Sequence, residues 1–500
     1  MNVAKTLRYI IFLQYKSFYI FLLVCSKTYD GKMRIMRGEN PMKKHNSIKR
    51  LSVYLTALIL LVSMAGCGGS AGDQTGTANT PSESKASDGT ASNTKLVFWN
   101  LGLKVVDDTG AIATEDLAIY QAIKKYEGET GGKVEIVNQS YDNWQNLFQS
   151  AGLAGNGPDL AQTVAGAITL GYKDFIEPLD KYFTADELAG FMNLDMLRTD
   201  YKADGELLGI PTDVTTLNLF YNKEIFKKAG LDPEKKLETF AELEDACAKI
   251  KAAGYQPMAI NDADGSNSAW VVCEFLSDKL GNSQIFGFKD GTIKVTDDVF
   301  VQSFKGWTDF TKKAVENGWC REDSFSSNTD NTSPFYAGQA GMVLGGSWNC
   351  FNVYTSLGEN AGTMPIPALS ADDPYKDYIC SQFGSNVVIT NYSKNKEEAV
   401  RFLKILAQKD TSLNLYNESS TLPARLDVDL SASKAGNPLA LECYNWITQN
   451  KNVVGFDSIM PAAGCAEWYR VAPLACAGKY TVEDAITAIN QKNEEALAAK

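Results

Sequence analysis

The sequence predicts an α/β fold on a largely parallel sheet, placed behind an export leader. Three observations carry this. From residue 95 onward short apolar runs alternate with amphipathic helical patterns, the rhythm of parallel strands joined by crossover helices. The 500 residues are 44% hydrophobic and 22% charged, a globular composition. The chain is also long enough to bury large cores without disulfide staples.

The elements follow in order. Lys95 to Trp99 is a short apolar strand, and Ile119, Ala122, Ile123 and Tyr126 fall on one face of a helix. Lys133 to Val137 is the next strand. Tyr141, Trp144, Leu147, Phe148 and Ala151 mark a second amphipathic helix, stopped by Gly155-Asn156-Gly157-Pro158, after which Asp159-Leu160 begins a third strand. Leu217 to Tyr221 reads as strand. Glu224 to Ala229 is a short helix ended by Gly230. Thr239 caps a helix running to Ala253. Phe304 to Trp319 is helical and is followed by a polar loop; Gly341 to Leu344 and Asn386 to Thr390 are strands. Lys396 to Gln408 and Thr481 to Lys500 are amphipathic helices.

Ahead of this body, Met42 to Arg50 is basic, Leu51 to Ser63 is an uncharged apolar run, and Met64-Ala65-Gly66-Cys67 closes it. This is a secretory leader, with an apolar run too short for a comfortable membrane span. Its ending resembles a bacterial lipobox, which implies lipidation of Cys67. A leader should open a chain, so residues 1–41 read as a mis-annotated extension with the true start at Met42. Residues 67–93, nearly all Gly, Ser, Thr, Ala, Asp and Asn, bury too little apolar surface to fold and read as a tether. The expected location is the outer membrane face, anchored by lipid.

Charge and residue counts exclude several chemistries. The chain has 48 basic and 60 acidic residues; eleven of the basic and two of the acidic ones precede Cys67, leaving the rest at −21. A body so acidic repels nucleic acid. The single histidine, His45, lies in the leader, so Ser-His-Asp and Cys-His catalysis and most zinc sites are excluded from the body. Eight body cysteines form no C-x-x-C pair; they read as buried thiols, with disulfides open and unpairable from sequence. No cofactor and no metal are expected. Asp262-Ala263-Asp264 lacks the glycine and closing carboxylate of a calcium loop.

The order of motifs resembles the extracellular solute-binding proteins of ABC importers, in the carbohydrate-binding branch that includes maltose-binding protein. The resemblance rests on Asn156-Gly157-Pro158-Asp159-Leu160, Glu177-Pro178-Leu179, Asp204 to Pro211, Leu219 to Lys223, and Phe335 to Met342. It implies two α/β lobes with a hinge and an interlobe cleft. Lobe one would be 94–212 with 375–425, and lobe two 213–372 with 430–500. Hinges would lie near 211–213 and 370–375. It further implies a monomer that closes on a carbohydrate and passes it to an ABC permease, doing no chemistry.

A sugar site needs flat rings for C–H faces and polar groups for hydroxyls. Trp144, Trp307, Trp319 and Trp446 sit at helical spacing among apolar residues and read as core. Trp99 ends the first strand, where ligands approach open α/β sheets. Trp270 follows a polar loop, Trp348 follows Gly345-Gly346-Ser347 after a strand, and Trp468 precedes the last helices. The resemblance places stacking aromatics at Trp348 and Trp468 and a cleft lysine at Lys104. The polar candidates are Lys104, Asp159, Asp213 and Asn267; Lys104 reads equally as a surface charge and Asp159 as a turn brace. Thr215 stands where the family often has Glu. Two other readings remain open: an anchored glycan-degrading enzyme using two carboxylates, and a receptor of the same fold for a non-sugar solute.

Overall fold

A computed structural model describes residues 94–106, 116–327, 329–433, 436–449 and 451–499. The expected extension (1–41), leader (42–66), lipidated Cys67 and tether (67–93) all lie outside these residues.

Two sheets organise the body. The first has the order β2-β1-β3-β10-β4, from β1 (Lys95–Asn100), β2 (Lys133–Asn138), β3 (Leu160–Val164), β4 (Ile210–Pro211) and β10 (Ser385–Ile389). The second has the order β11-β9-β5-β7-β6, with β8 also on β5. Its strands are β5 (Val214–Asn222), β6 (Gln256–Ala259), β7 (Ala340–Gly346), β8 (Ala361–Pro365), β9 (Ile379–Phe383) and β11 (Asn452–Val453).

Sequence pattern explains the central strands. All nine residues of β5 are buried, and its run of Val, Thr, Leu, Phe and Tyr suits a strand covered on both faces. By contrast β1 alternates, with Leu96, Phe98 and Asn100 inward. The parallel sheet expected from the alternation is only partly present. β1 runs parallel to β2 and β3, but β10 is antiparallel to β3 and β4, and β5 is antiparallel to β7, β8 and β9. The cause is the chain path: β5 and β10 each arrive directly from the other sheet and so run against their neighbours.

The long helices are α1 (Ala118–Thr130), α2 (Trp144–Ala154), α3 (Phe240–Ala252), α4 (Ser266–Ile285), α5 (Asp298–Glu316), α6 (Cys350–Leu357), α7 (Lys396–Leu406), α8 (Lys409–Ser419), α9 (Pro438–Gln449), α10 (Ala462–Cys476) and α11 (Val482–Ala498). α1 buries Ile119, Ala122, Ile123 and Tyr126 and ends at Gly131, whose φ of 76° needs a residue without Cβ. The ring of Phe402 on α7 meets Phe98 at 6.1 Å and Tyr126 at 5.6 Å, which fixes the returning segment on the first sheet. The fold is thus two α/β lobes with the chain crossing between them.

One crossing lies between Pro211 and Val214, near the expected hinge. The next lies between Phe383 and Ser385, not near 370–375. β9 pairs Val214↔Phe383 and Thr216↔Ser381 and belongs to the second lobe, so the first lobe resumes only at Ser385. The lobes also touch beyond the crossings. Tyr201 Oη donates to the Ser458 carbonyl at 2.9 Å, and its ring lies 6.1 Å from Phe286.

Candidate functional site

The loop after β1 is shaped by one side chain. Gln162 on β3 accepts through Oε1 from the backbone N–H of Leu101 (3.0 Å), Gly102 (2.8 Å) and Leu103 (3.3 Å). Its Nε2 donates to Ser385 Oγ at 2.9 Å. Ser385 Oγ in turn donates to Asp213 Oδ1 at 2.6 Å, and Ser385 N–H reaches the same oxygen at 3.1 Å. Thr212 Oγ1 adds a bond to Asp213 Oδ1 at 3.0 Å. Burial pushes the Asp213 carboxyl up, and the donors from Ser385 and Thr212 oppose that rise.

These groups line a cavity of about 150 Å³. The first lobe contributes Gly102, Leu103, Tyr141, Gln162 and Ser385; the crossing contributes Thr212 and Asp213; the second lobe contributes Val214, Thr215, Ser347 and Trp348; Thr421 and Leu422 complete the wall. Trp348 sits in a short turn that ends β7 and is 44% exposed, against a background of buried aromatics. Its ring lies over Gly346, where a Cβ would stand 2.0 Å from it. Tyr141, 61% exposed, faces the cavity from the other lobe. Desolvation by the surrounding protein pushes its hydroxyl up, and the Asp213 charge adds to the rise. No Lys or Arg lines this cavity among the described residues.

A larger cavity, about 660 Å³, lies elsewhere between residues of both lobes and is lined by Tyr375, Tyr378, Asn193, Asn282, Leu426 and Lys451. It has no tryptophan and none of the sequence candidates. The smaller cavity holds the crossing, the loop at the C-terminal end of a parallel strand and an open indole, the features of an α/β ligand site.

Of the eight sequence candidates, Trp348 and Asp213 line the small cavity. Trp270 stands behind Trp348, edge to face at 5.0 Å, and lies on α4 rather than in a loop. The other five stand elsewhere. Trp468 is wholly buried on α10, with Phe304 at 4.8 Å, Phe300 at 5.5 Å and Phe456 at 5.6 Å, so it offers no stacking face. Trp99 packs, half-buried, on the small core of Trp144 and Phe148. Asp159 is a brace: it accepts from Val97 N–H at 2.9 Å, Ser393 Oγ at 2.6 Å and Asn395 Nδ2 at 3.2 Å. Asn267 is buried and donates to the Asn261 carbonyl at 2.7 Å. Lys104 lies outside the lining, its charge acting on Glu418.

The sequence reading missed Tyr141, Gln162 and Ser385. Tyr141 matched the helical spacing of Trp144 and Phe148, yet α2 begins only at Trp144. Gln162 carried a signal: a long amide side chain in a short strand of otherwise small or apolar residues.

Comparison with known proteins agrees with this architecture. The periplasmic sn-glycerol-3-phosphate-binding protein UgpB of Escherichia coli (strain K12) is 27% identical over 358 residues, covering 65% of this chain and 77% of its own. Among solved structures, a chitin oligosaccharide binding protein superposes with a TM-score of 0.68 at 19% identity, over 81% of this chain and 99% of its own. An ABC transporter solute-binding protein from Thermotoga lettingae bound to α-D-tagatose gives 0.61 at 20%, over 81% and 100%. Residues 121–441 match the sequence profile of the bacterial extracellular solute-binding proteins, and the chain belongs to that family.

Proposed function

We propose that the protein is a lipid-anchored extracytoplasmic receptor that closes its lobes on a neutral carbohydrate and delivers it to an ABC permease. The observation that carries this reading is the lining of the small cavity. An open indole and a phenol, one from each lobe, stand among Gln162, Asp213, Ser347 and Ser385 with no basic side chain. Ring faces suit the C–H surface of a sugar, and the Asp213 carboxylate and the hydroxyls suit its rim. Closure needs contacts to both lobes at once, and Tyr141 and Trp348 supply one from each.

The same lining argues against a phosphoester of the kind named for UgpB. A phosphate dianion would meet Asp213 and no Lys or Arg, an arrangement that repels it. The solved structures of a chitin oligosaccharide binding protein and of a solute-binding protein bound with α-D-tagatose support the sugar reading by analogy of fold. Anchoring rests on Cys67, whose lipid would hold the monomeric body at the outer membrane face.

The test is calorimetry of the chain from residue 68 onward against neutral mono- and oligosaccharides and glycerol 3-phosphate. Saturable sugar binding without turnover supports the proposal. Binding of glycerol 3-phosphate alone, or release of shorter sugars, refutes it. Cys67→Ser should abolish incorporation of labelled fatty acid in the producing cell.

A further inference from the structure

We propose that Cys350 and Cys443 form a disulfide in the exported protein, stapling the base of the Trp348 turn to the neighbouring helix. Their sulfurs lie 3.8 Å apart, and both side chains are fully buried. Cys350 opens α6, two residues after Trp348; Cys443 lies within α9, which packs on α6. The S–S bond length is near 2.0 Å, so the sulfurs need approach by only about 1.8 Å, within reach of a side-chain rotation.

Two other buried thiols face oxygen partners. Cys273 donates to the Asp457 carboxylate at 3.3 Å, and Cys476 sits 3.4 Å from the Ser268 hydroxyl. Cys443 also accepts from Asn218 Nδ2 at 3.0 Å. Burial pushes the Cys350 thiol up, as it does for a thiol shut away from water.

The chemistry is ordinary exchange with a disulfide-bearing oxidant of the extracytoplasmic space. One of the two sulfurs, as thiolate, attacks the oxidant R–S–S–R and expels one thiolate. The other sulfur, on losing its proton, then attacks the protein sulfur of the mixed disulfide and expels the second thiolate. Two electrons and the two thiol protons leave as two R–SH. Because the pair is buried, exchange occurs as the chain folds or during local opening of α6 and α9.

The consequence is mechanical. Asn218 pairs across the sheet with Gly345, and Gly346 carries the Trp348 ring. A covalent bond beneath this turn fixes the platform on which Trp348 stands. This inference concerns the redox state of the second lobe and stands whether or not the solute is a sugar.

The test uses the full chain, secreted without reductant, denatured in N-ethylmaleimide and mapped by non-reducing peptide mass spectrometry. The expected result is a Cys350–Cys443 peptide, two hydrogens lighter than its reduced parts. Dithiothreitol should lower the melting temperature by roughly 5 °C, since the closed loop is long. Cys350→Ser and Cys443→Ser should each remove the linked peptide and melt near the reduced wild type. Alkylation of both thiols after incubation with oxidised glutathione overturns the proposal. So does either sulfur found bonded to a different cysteine.

Discussion

Replacing Gly346 by alanine should disable the binding face without touching a ligand-contacting residue. Gly346 has φ −128° and ψ 175°, extended backbone that alanine adopts freely. The obstacle is spatial: a Cβ there would stand 2.0 Å from the Trp348 ring. The ring must withdraw by about 1.5 Å or more to reach ordinary carbon–carbon contact. Trp348 is 44% exposed. With a full side-chain area of about 250 Å², roughly 110 Å² is open. A solute covering half of that buries about 55 Å², worth ~1.4 kcal/mol at ~25 cal/mol per Å², a tenfold change in affinity. Gly346→Ala and Trp348→Ala should therefore each raise Kd about tenfold in calorimetry against the best ligand of the panel. Both should stay folded. The alanine at 346 should also shift indole emission, because Trp348 leaves its edge contact with Trp270. If both variants bind within twofold of wild type, stacking on Trp348 is not what holds the solute. If only Trp348→Ala weakens binding, the glycine does not set the ring position.

Trp468→Ala should behave in the opposite way, unfolding at lower denaturant by about 3–5 kcal/mol, because it empties a fully buried site among Phe300, Phe304 and Phe456. Any folded fraction should bind solute normally; lost affinity with unchanged stability would refute the core assignment. Asp262→Asn should alter the pH profile of stability. Burial pushes the Asp262 carboxyl up to about 7, so the folded state holds a proton that the unfolded state has lost. Stability should fall as pH rises from about 4 to 7, by about 1.4 kcal/mol per pH unit from this group at most, and level off above 7. Urea titrations of the variant should lack that component; parallel curves would refute it. Ser385→Ala removes the 2.6 Å bond to Asp213 and leaves Gln162 Nε2 without its acceptor. It should cost about 1–3 kcal/mol of stability and weaken solute binding, both measurable on one protein sample.

The fold was legible wherever one face of an element is dry and the other wet. α1 and α7 show this, with stripes of Ile119, Ile123 and Tyr126 and of Ala399, Phe402 and Leu403. It was illegible in a helix buried all round. α4 spans twenty residues and buries Glu274, Ser277 and Asp278 along with Val271, Phe275 and Leu276, so no apolar stripe marks it. That omission made Trp270 look like a loop residue. The crossing at 383–385 was hidden for a related reason. β9 and β10 are two short buried strands with one residue between them, and nothing local says that they serve different sheets. The site was half-readable. An indole after a Gly-Gly turn gave Trp348, while Trp468 sits next to polar residues in sequence but turns inward on its helix. Ser385 and Gln162 come from distant parts of the chain, and only the fold brings them to Asp213.

The grip of Gln162 on three successive amides has a thermodynamic corollary. A loop that greets an incoming molecule must ordinarily give up its freedom at that moment, and the loss is subtracted from affinity. Here residues 101–103 are already fixed by a neighbouring strand of their own lobe. Their stiffening is settled at folding and need not be repeated at encounter. Weakening that amide would lower affinity through disorder, even though the side chain itself faces mostly inward.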